Sequence, residues 1–129
     1  MKNAKFTYKD VAPLLIQEIP EFSDTYNEYL ENDGQVLLHV LFGDLTRFLI
    51  AAYKEICNSA NSEALFLRIL DFVEEIYVHG DADVRVLVEA SFLENLLQSG
   101  DDYQGIKIYL RENTFQQLKV MENWGSSVT

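Results

Sequence analysis

The chain has 129 residues, a length typical of one domain. Hydrophobic residues make up 48% and charged residues 24%, a balance that indicates a globular protein rather than a disordered tail. The 21 acidic residues against 10 basic residues give a net charge of −11. This charge disfavours binding to nucleic acid or to an anionic membrane surface, because both would repel the protein.

We expect a single domain over residues 1–129, with 1–6 and 125–129 frayed. Met1–Asp10 has basic residues but no apolar stretch, so we expect no secretory signal. Asp44 and Arg47 interrupt the longest apolar run, which leaves no predicted membrane span. The single cysteine, Cys57, excludes an internal disulfide and is typical of a reducing compartment, so the sequence predicts a cytoplasmic protein.

Helical periodicity dominates the first half of the chain. Thr7 or Asp10 is expected to cap a first helix that stops before Pro20. Pro20 suits the first position of a second helix, which runs to about Glu31. A third helix, Gln35 to Asn58, is apolar around most of its circumference, which predicts a central helix packed on several sides.

The second half continues the helical pattern. A polar turn at 58–62 begins a fourth helix that ends at His79, and Asp81 or Asp83 caps a fifth over Val84 to Gln98. The remainder, to Trp124, predicts one or two helices, with Asn113 as a cap. Residues 106–110 are rich in β-branched side chains, so the sequence is also compatible with a short strand there.

These elements predict an all-α fold of about six or seven helices. Apolar helices that end near residues 56, 76 and 97 recur at about twenty residues, which suits a short HEAT-like stack of antiparallel helical hairpins. No consensus signature repeats, so an irregular bundle is equally compatible.

The sequence contains no motif that indicates a particular catalytic chemistry. No phosphate-binding loop, nucleophile elbow, His-Glu-x-x-His or Cys-x-x-Cys pattern occurs, and we expect no enzyme, no cofactor and no metal. His79, Asp81 and Asp83 offer metal-ligating groups, but helix ends favour the same residue types at these positions. His39, inside the apolar third helix, is predicted to be a hydrogen-bonded core residue, and Cys57 a structural cysteine.

Charge placement is more informative. Residues 10–44 contain eight acids and no lysine or arginine. Within this stretch, the spacing i, i+3, i+7, i+10 places four acids on one helix face; this first acidic set is Glu21, Asp24, Glu28 and Glu31. A second run of acids lies along and after the fourth helix: Asp71, Glu74, Glu75, Asp81 and Asp83. Its members on the helix, Asp71, Glu74 and Glu75, are the second acidic set of interface candidates. Either set is a solubilising surface or a face shaped for a basic partner.

Several segments carry a family resemblance. Residues 40–49 (VLFGDLTRFL), 72–75 (FVEE), 88–96 (VEASFLENL) and 121–125 (MENWG) resemble, in this order, a family of small helical bacterial proteins of unassigned function. The resemblance spans about Pro20 to Gly125. Some members resemble immunity proteins of contact-dependent growth inhibition, whose toxin partner is often a basic nuclease domain. The resemblance implies neither an active site nor a transferable set of interface residues.

The charge pattern and the resemblance lead to the same hypothesis. We predict a non-enzymatic immunity protein that binds a toxin domain, best guessed as a basic nuclease, through the first and second acidic sets. The alternative is a small helical adaptor that binds an ordinary cytosolic protein or a second copy of itself. A third hypothesis is a metal-dependent enzyme that uses His79, Asp81 and Asp83.

Overall fold

The computed structural model describes residues 5–33 and 37–128 of the chain. Its α-helices are α1 Val11–Glu18, α2 Ser23–Asp33, α3 Leu38–Lys54, α4 Ala60–His79, α5 Ala82–Leu87, α6 Glu94–Leu97, α7 Asp102–Lys107 and α8 Glu112–Val128. A π-helical segment, Val88–Leu93, joins α5 to α6 without a break. With Ala82–Leu97 taken as one helix, the described ranges hold seven helices, which confirms the predicted all-α single domain.

Several helix ends lie where the sequence predicts them. Asp10 accepts a hydrogen bond from the backbone N–H of Thr7 at 2.9 Å in a capping box before α1. Pro20 begins a 3-10 turn, Pro20–Phe22, that leads into α2. Ser59 caps α4 by accepting from the N–H of Ser62 at 3.2 Å. Asp10 and Ser59 thus satisfy backbone N–H groups that have no partner inside their helix.

Helix α3 is central but not enclosed on all sides. Its apolar side chains pack against α4, α5, α6, α7 and the π-helical segment, with Leu41, Phe42 and Leu45 fully buried. Its outer side faces solvent, and Val40 is 47% exposed. The predicted packing on several sides is therefore confirmed, and the outer side is one that no element covers among the described residues.

The last third of the chain differs in detail from the prediction. Residues 106–110 form the end of α7 and a turn, and the described ranges contain no strand, only an isolated bridge between Phe6 and Gly80. Helix α8 begins at Glu112, before the predicted cap Asn113, and ends at Val128. At the other end, the backbone N–H of Phe6 donates to the carbonyl of His79 at 3.2 Å and attaches this segment to the end of α4.

The contacts favour a bundle over a stack of hairpins. Helix α4 touches α1, α3, α5 and α8, whereas the units of a linear stack contact only their sequence neighbours. None of the helices in 5–33 and 37–128 has the combination of length and apolar character needed to cross a bilayer. The predicted start of the third helix at Gln35 lies outside the described residues.

Candidate functional site

Helix α2 presents two acidic side chains to solvent without internal partners. Asp24 lies in its first turn and Glu28 one turn later, and both are exposed. Neither carboxylate forms a hydrogen bond or an ion pair within the described part of the chain. Because Phe22 is buried and packs edge-on against Phe48, with ring centroids 5.3 Å apart, the start of α2 is anchored in the core. Glu31, the last member of the first acidic set, lies outside the residues whose side chains are described.

Glu21, the first member of that set, is engaged inside the protein. The two terminal nitrogens of the Arg68 guanidinium donate to its carboxylate, at 2.9 and 2.5 Å. These hydrogen bonds hold the pKa of the Glu21 carboxyl below its ordinary value. Glu21 therefore links the turn before α2 to α4, and it offers a partner less uncompensated charge than Asp24 or Glu28.

The second acidic set is also used in internal contacts. The Nε of Arg111 donates to Asp71 at 2.5 Å. Glu75 pairs with the Nζ of Lys5 at 3.4 Å. The acids of this set have no lysine or arginine beside them between Arg68 and Arg85 in the sequence, but the fold supplies cations from positions 40 and 70 residues away.

Glu74 caps a different helix from the one that carries it. Its carboxylate accepts from the N–H and side-chain amide of Asn113 at 3.0 and 2.8 Å, and from the N–H and hydroxyl of Thr114, each at 2.9 Å. Burial alone would raise the pKa of Glu74, but these four hydrogen bonds together lower it. The side chain therefore fixes the start of α8 against α4.

The segment from His79 to Asp83 forms the junction between α4 and α5. Asp81 caps α5 by accepting from the N–H of Val84 at 2.9 Å, as helix-end chemistry predicts. Gly80 ends α4 with φ −85°, and a Cβ there would lie 2.4 Å from the carbonyl oxygen of Ile76. A close packing contact, not a left-handed backbone, therefore requires the glycine. Within the described ranges, no three His, Cys, Asp or Glu side chains are grouped to hold a metal ion.

Two further predictions need correction. His39 is exposed rather than buried; it lies in the first turn of α3, and its Nδ1 forms a short hydrogen bond with the hydroxyl of Ser91 on the π-helical segment. Cys57 is exposed in the turn after α3, so its thiol has no packing role that would make it structural.

A groove between α1 and α4 was not predicted from the sequence. This α1–α4 groove has a volume of about 550 Å³, and its lining residues are Lys5, Phe6, Leu14, Glu18, Arg68, Asp71, Phe72, Glu75 and Ile76. It arises because hydrogen bonds to His79 hold the N-terminal segment beside α4. The spacing of Arg68, Phe72 and Ile76 by four residues indicates one face of α4, but no sequence signal indicated that part of this face would stay open.

Comparison with known proteins gives a family but no function. A family model described as a domain of unknown function (DUF7674) matches residues 12–124, most of the chain, and the chain therefore belongs to that family. No curated protein matches the sequence significantly. No solved structure matches it significantly either.

Proposed function

We propose that this DUF7674 family member is a bacterial immunity protein that binds a basic toxin domain, best fitted by a nuclease, through the exposed acidic face of α2. The observation that carries the proposal is the contrast between Asp24 and Glu28, which have no partner among the described residues, and Asp71, Glu74 and Glu75 of α4, which do. A carboxylate already paired with arginine contributes little further attraction to a partner, whereas an unpaired exposed carboxylate contributes its full field.

The chemistry of the partner follows from this field. A nuclease needs a cationic cleft to hold a phosphate backbone, and a row of carboxylates on a helix presents negative charge to such a cleft. Asp24 and Glu28 are separated by one helical turn, about 6 Å along the axis, so both can contact one cleft. The same field repels nucleic acid itself, so direct nucleic-acid binding is not part of the proposal.

The sequence resemblance to immunity proteins of contact-dependent growth inhibition supports the same function. In the proposal, the protein acts in the cytoplasm of its own cell, without catalysis and without a cofactor. A reducing cytoplasm suits a chain whose single cysteine, Cys57, is exposed.

A growth-rescue assay tests the proposal. The toxin domain encoded next to this protein is induced in a host with and without it, and rescue together with a co-purifying complex supports immunity. The test variant is Asp24→Lys/Glu28→Lys, and the control is Glu63→Lys/Glu55→Lys, since Glu63 and Glu55 are also exposed and their carboxylates have no partner in the described part of the chain. Both variants change the net charge equally, and each places one lysine in the first turn of a helix. If both variants lose rescue, or if neither variant does, the result contradicts a role for α2.

The adaptor hypothesis rests on a different surface. Ile108 is 73% exposed and Tyr109 42% exposed, side by side in the turn after α7, and adjacent exposed apolar side chains are typical of a small interaction site. Ile108→Ser should weaken an apolar contact with an ordinary cytosolic partner. The same variant should leave toxin binding through α2 unchanged.

A further inference from the structure

The α1–α4 groove lies next to the start of α2, where the acidic face of that helix begins. Arg68, at one end of the groove, holds Glu21 in the turn that begins α2, and Asp24 follows one helical turn later. The groove and α2 therefore form one continuous surface rather than two separate sites. An interface of this kind commonly combines a recessed apolar region with a charged rim.

The interior of the groove is apolar. Phe72 and Ile76 of α4 form its base, while the half-buried side chains of Leu14 and Phe6 form its walls. Arg68 and Glu75 mark its length along α4, and seven residues of helix span about 10 Å. That length corresponds to about three residues of extended chain, since each residue spans at most about 3.6 Å.

The rim carries more acid than base. Glu18, Asp71 and Glu75 face Lys5 and Arg68 around the groove. Arg68 is already engaged by Glu21, and Lys5 lies 3.4 Å from Glu75 with both side chains about half exposed. The carboxylate of Glu18 accepts no hydrogen bond among the described residues, although the Arg68 guanidinium interacts with it electrostatically and donates to the Glu18 carbonyl at 3.3 Å. An occupant that brings a cation would therefore meet Glu18 at one end and could replace Lys5 beside Glu75 at the other.

We infer that the α1–α4 groove binds a short segment of the partner protein in which an apolar side chain is flanked by basic side chains. The apolar side chain lies over Leu14, Phe72 and Ile76, and the basic side chains contact Glu18 and Glu75. This inference rests on the proposed function, because it gives the basic partner of α2 an apolar anchor. It assigns specificity to the groove and long-range attraction to α2.

Methyl NMR titration with defined peptides tests the inference. The probe is acetyl-Lys-Leu-Lys-amide, added to protein labelled at leucine and isoleucine methyl groups, at physiological salt. Saturable shifts are expected at Leu14 and Ile76. Acetyl-Lys-Ser-Lys-amide should bind at least about threefold more weakly, because it lacks the apolar side chain. Acetyl-Glu-Leu-Glu-amide should give no saturable shift, because the acidic rim repels it.

Two single-charge variants locate the contact. Glu18→Gln should weaken binding of acetyl-Lys-Leu-Lys-amide about threefold, the usual range for an exposed ion pair. Gln17→Lys is the matched control, because Gln17 is exposed on the same helix but does not line the groove. It changes the net charge by the same amount and should alter binding by less than about twofold, since residue 17 does not line the groove and its charge is screened by salt.

The outcomes separate the groove from the function of α2. Absent shifts at Leu14 and Ile76, or equal binding of the Leu and Ser peptides, overturn the groove inference even when toxin rescue depends on Asp24 and Glu28. If the groove shifts are saturable but the protein gives no toxin rescue, the groove is a binding site for basic–apolar segments. The same result contradicts a toxin as the protein that supplies such a segment. An equal loss with Glu18→Gln and Gln17→Lys also overturns the inference, because it shows a general charge effect.

Discussion

Replacement of Glu74 by alanine should destabilise the protein more than any other single change in the acidic sets. The carboxylate satisfies the N–H groups of Asn113 and Thr114 at the start of α8, and it also accepts from both of their side chains. Loss of a helix cap costs about 1 kcal/mol, and hydrogen bonds to a charged group are worth more. Water reaches the Asn113 side of the cap and replaces part of the loss. We therefore expect a cost of about 2 kcal/mol.

Thermal and urea unfolding measure this cost. For a chain of 129 residues, about 2 kcal/mol corresponds to a fall in Tm of about 8 °C. Glu75→Ala is the matched control, because Glu75 is the adjacent acid on α4 and forms an exposed ion pair with Lys5 at 3.4 Å. That variant should cost less than about 0.5 kcal/mol. Equal effects of the two substitutions, or a change below about 0.5 kcal/mol for Glu74→Ala, would refute the capping role.

The pH dependence of the same variant gives an independent check. The pKa of Glu74 is lowered in the folded protein from its ordinary value of 4.5, so its stabilisation is fully present well above that pH. It is lost as the pH falls through the lowered value, because the carboxyl must then be protonated. The difference in unfolding free energy between the wild type and Glu74→Ala should therefore be constant near neutral pH and shrink below 4.5. A difference that grows on acidification would contradict this reasoning.

Three further predictions concern other parts of the fold. Gly105→Ala would place a Cβ 1.8 Å from the hydroxyl of Tyr53, and we expect it to lower the free energy of unfolding in urea by about 1–3 kcal/mol. In a Tyr53→Ala background, the same Gly105→Ala substitution should cost less. Cys57→Ser should change stability by less than about 0.5 kcal/mol, and the native thiol should react with a thiol reagent without denaturant, since Cys57 is exposed. Burial and the hydrogen bond to Glu122 raise the pKa of the Tyr103 phenol, so its phenolate absorbance should be missing at about pH 11 and should return toward ordinary titration in Glu122→Gln.

Local sequence signals predicted the helix framework well. Pro20, Ser59 and Asp81 each mark a helix start by properties of the residue itself: a fixed φ or a short side chain that accepts from the backbone. Residues 106–110 were ambiguous because β-branched side chains suit a strand, yet Ile106 is buried as part of α7. Packing against the bundle decided that segment, and no local pattern contains this information.

The candidate site was less predictable because it depends on contacts between distant residues. Asp71 and Glu75 looked uncompensated, since Arg111 and Lys5 lie far away in sequence. Glu74 gave no local sign that it caps α8. In contrast, the sequence shows directly that every charged residue of α2 is acidic, and Asp24 and Glu28 have no partner among the described residues. The exposure of His39 was missed because apolar composition alone does not say which side of a helix is covered.

The most direct test of the central claim is the rate of association with the toxin domain as a function of ionic strength, measured by stopped flow. The wild type should associate fast at low salt and slow steeply as salt is added, because the field of α2 attracts the basic partner. Asp24→Lys/Glu28→Lys should lower the low-salt rate by about tenfold or more and flatten the salt dependence. Glu63→Lys/Glu55→Lys should keep most of the rate and the slope. Equal rates and slopes for all three proteins would contradict recognition through the acidic face of α2.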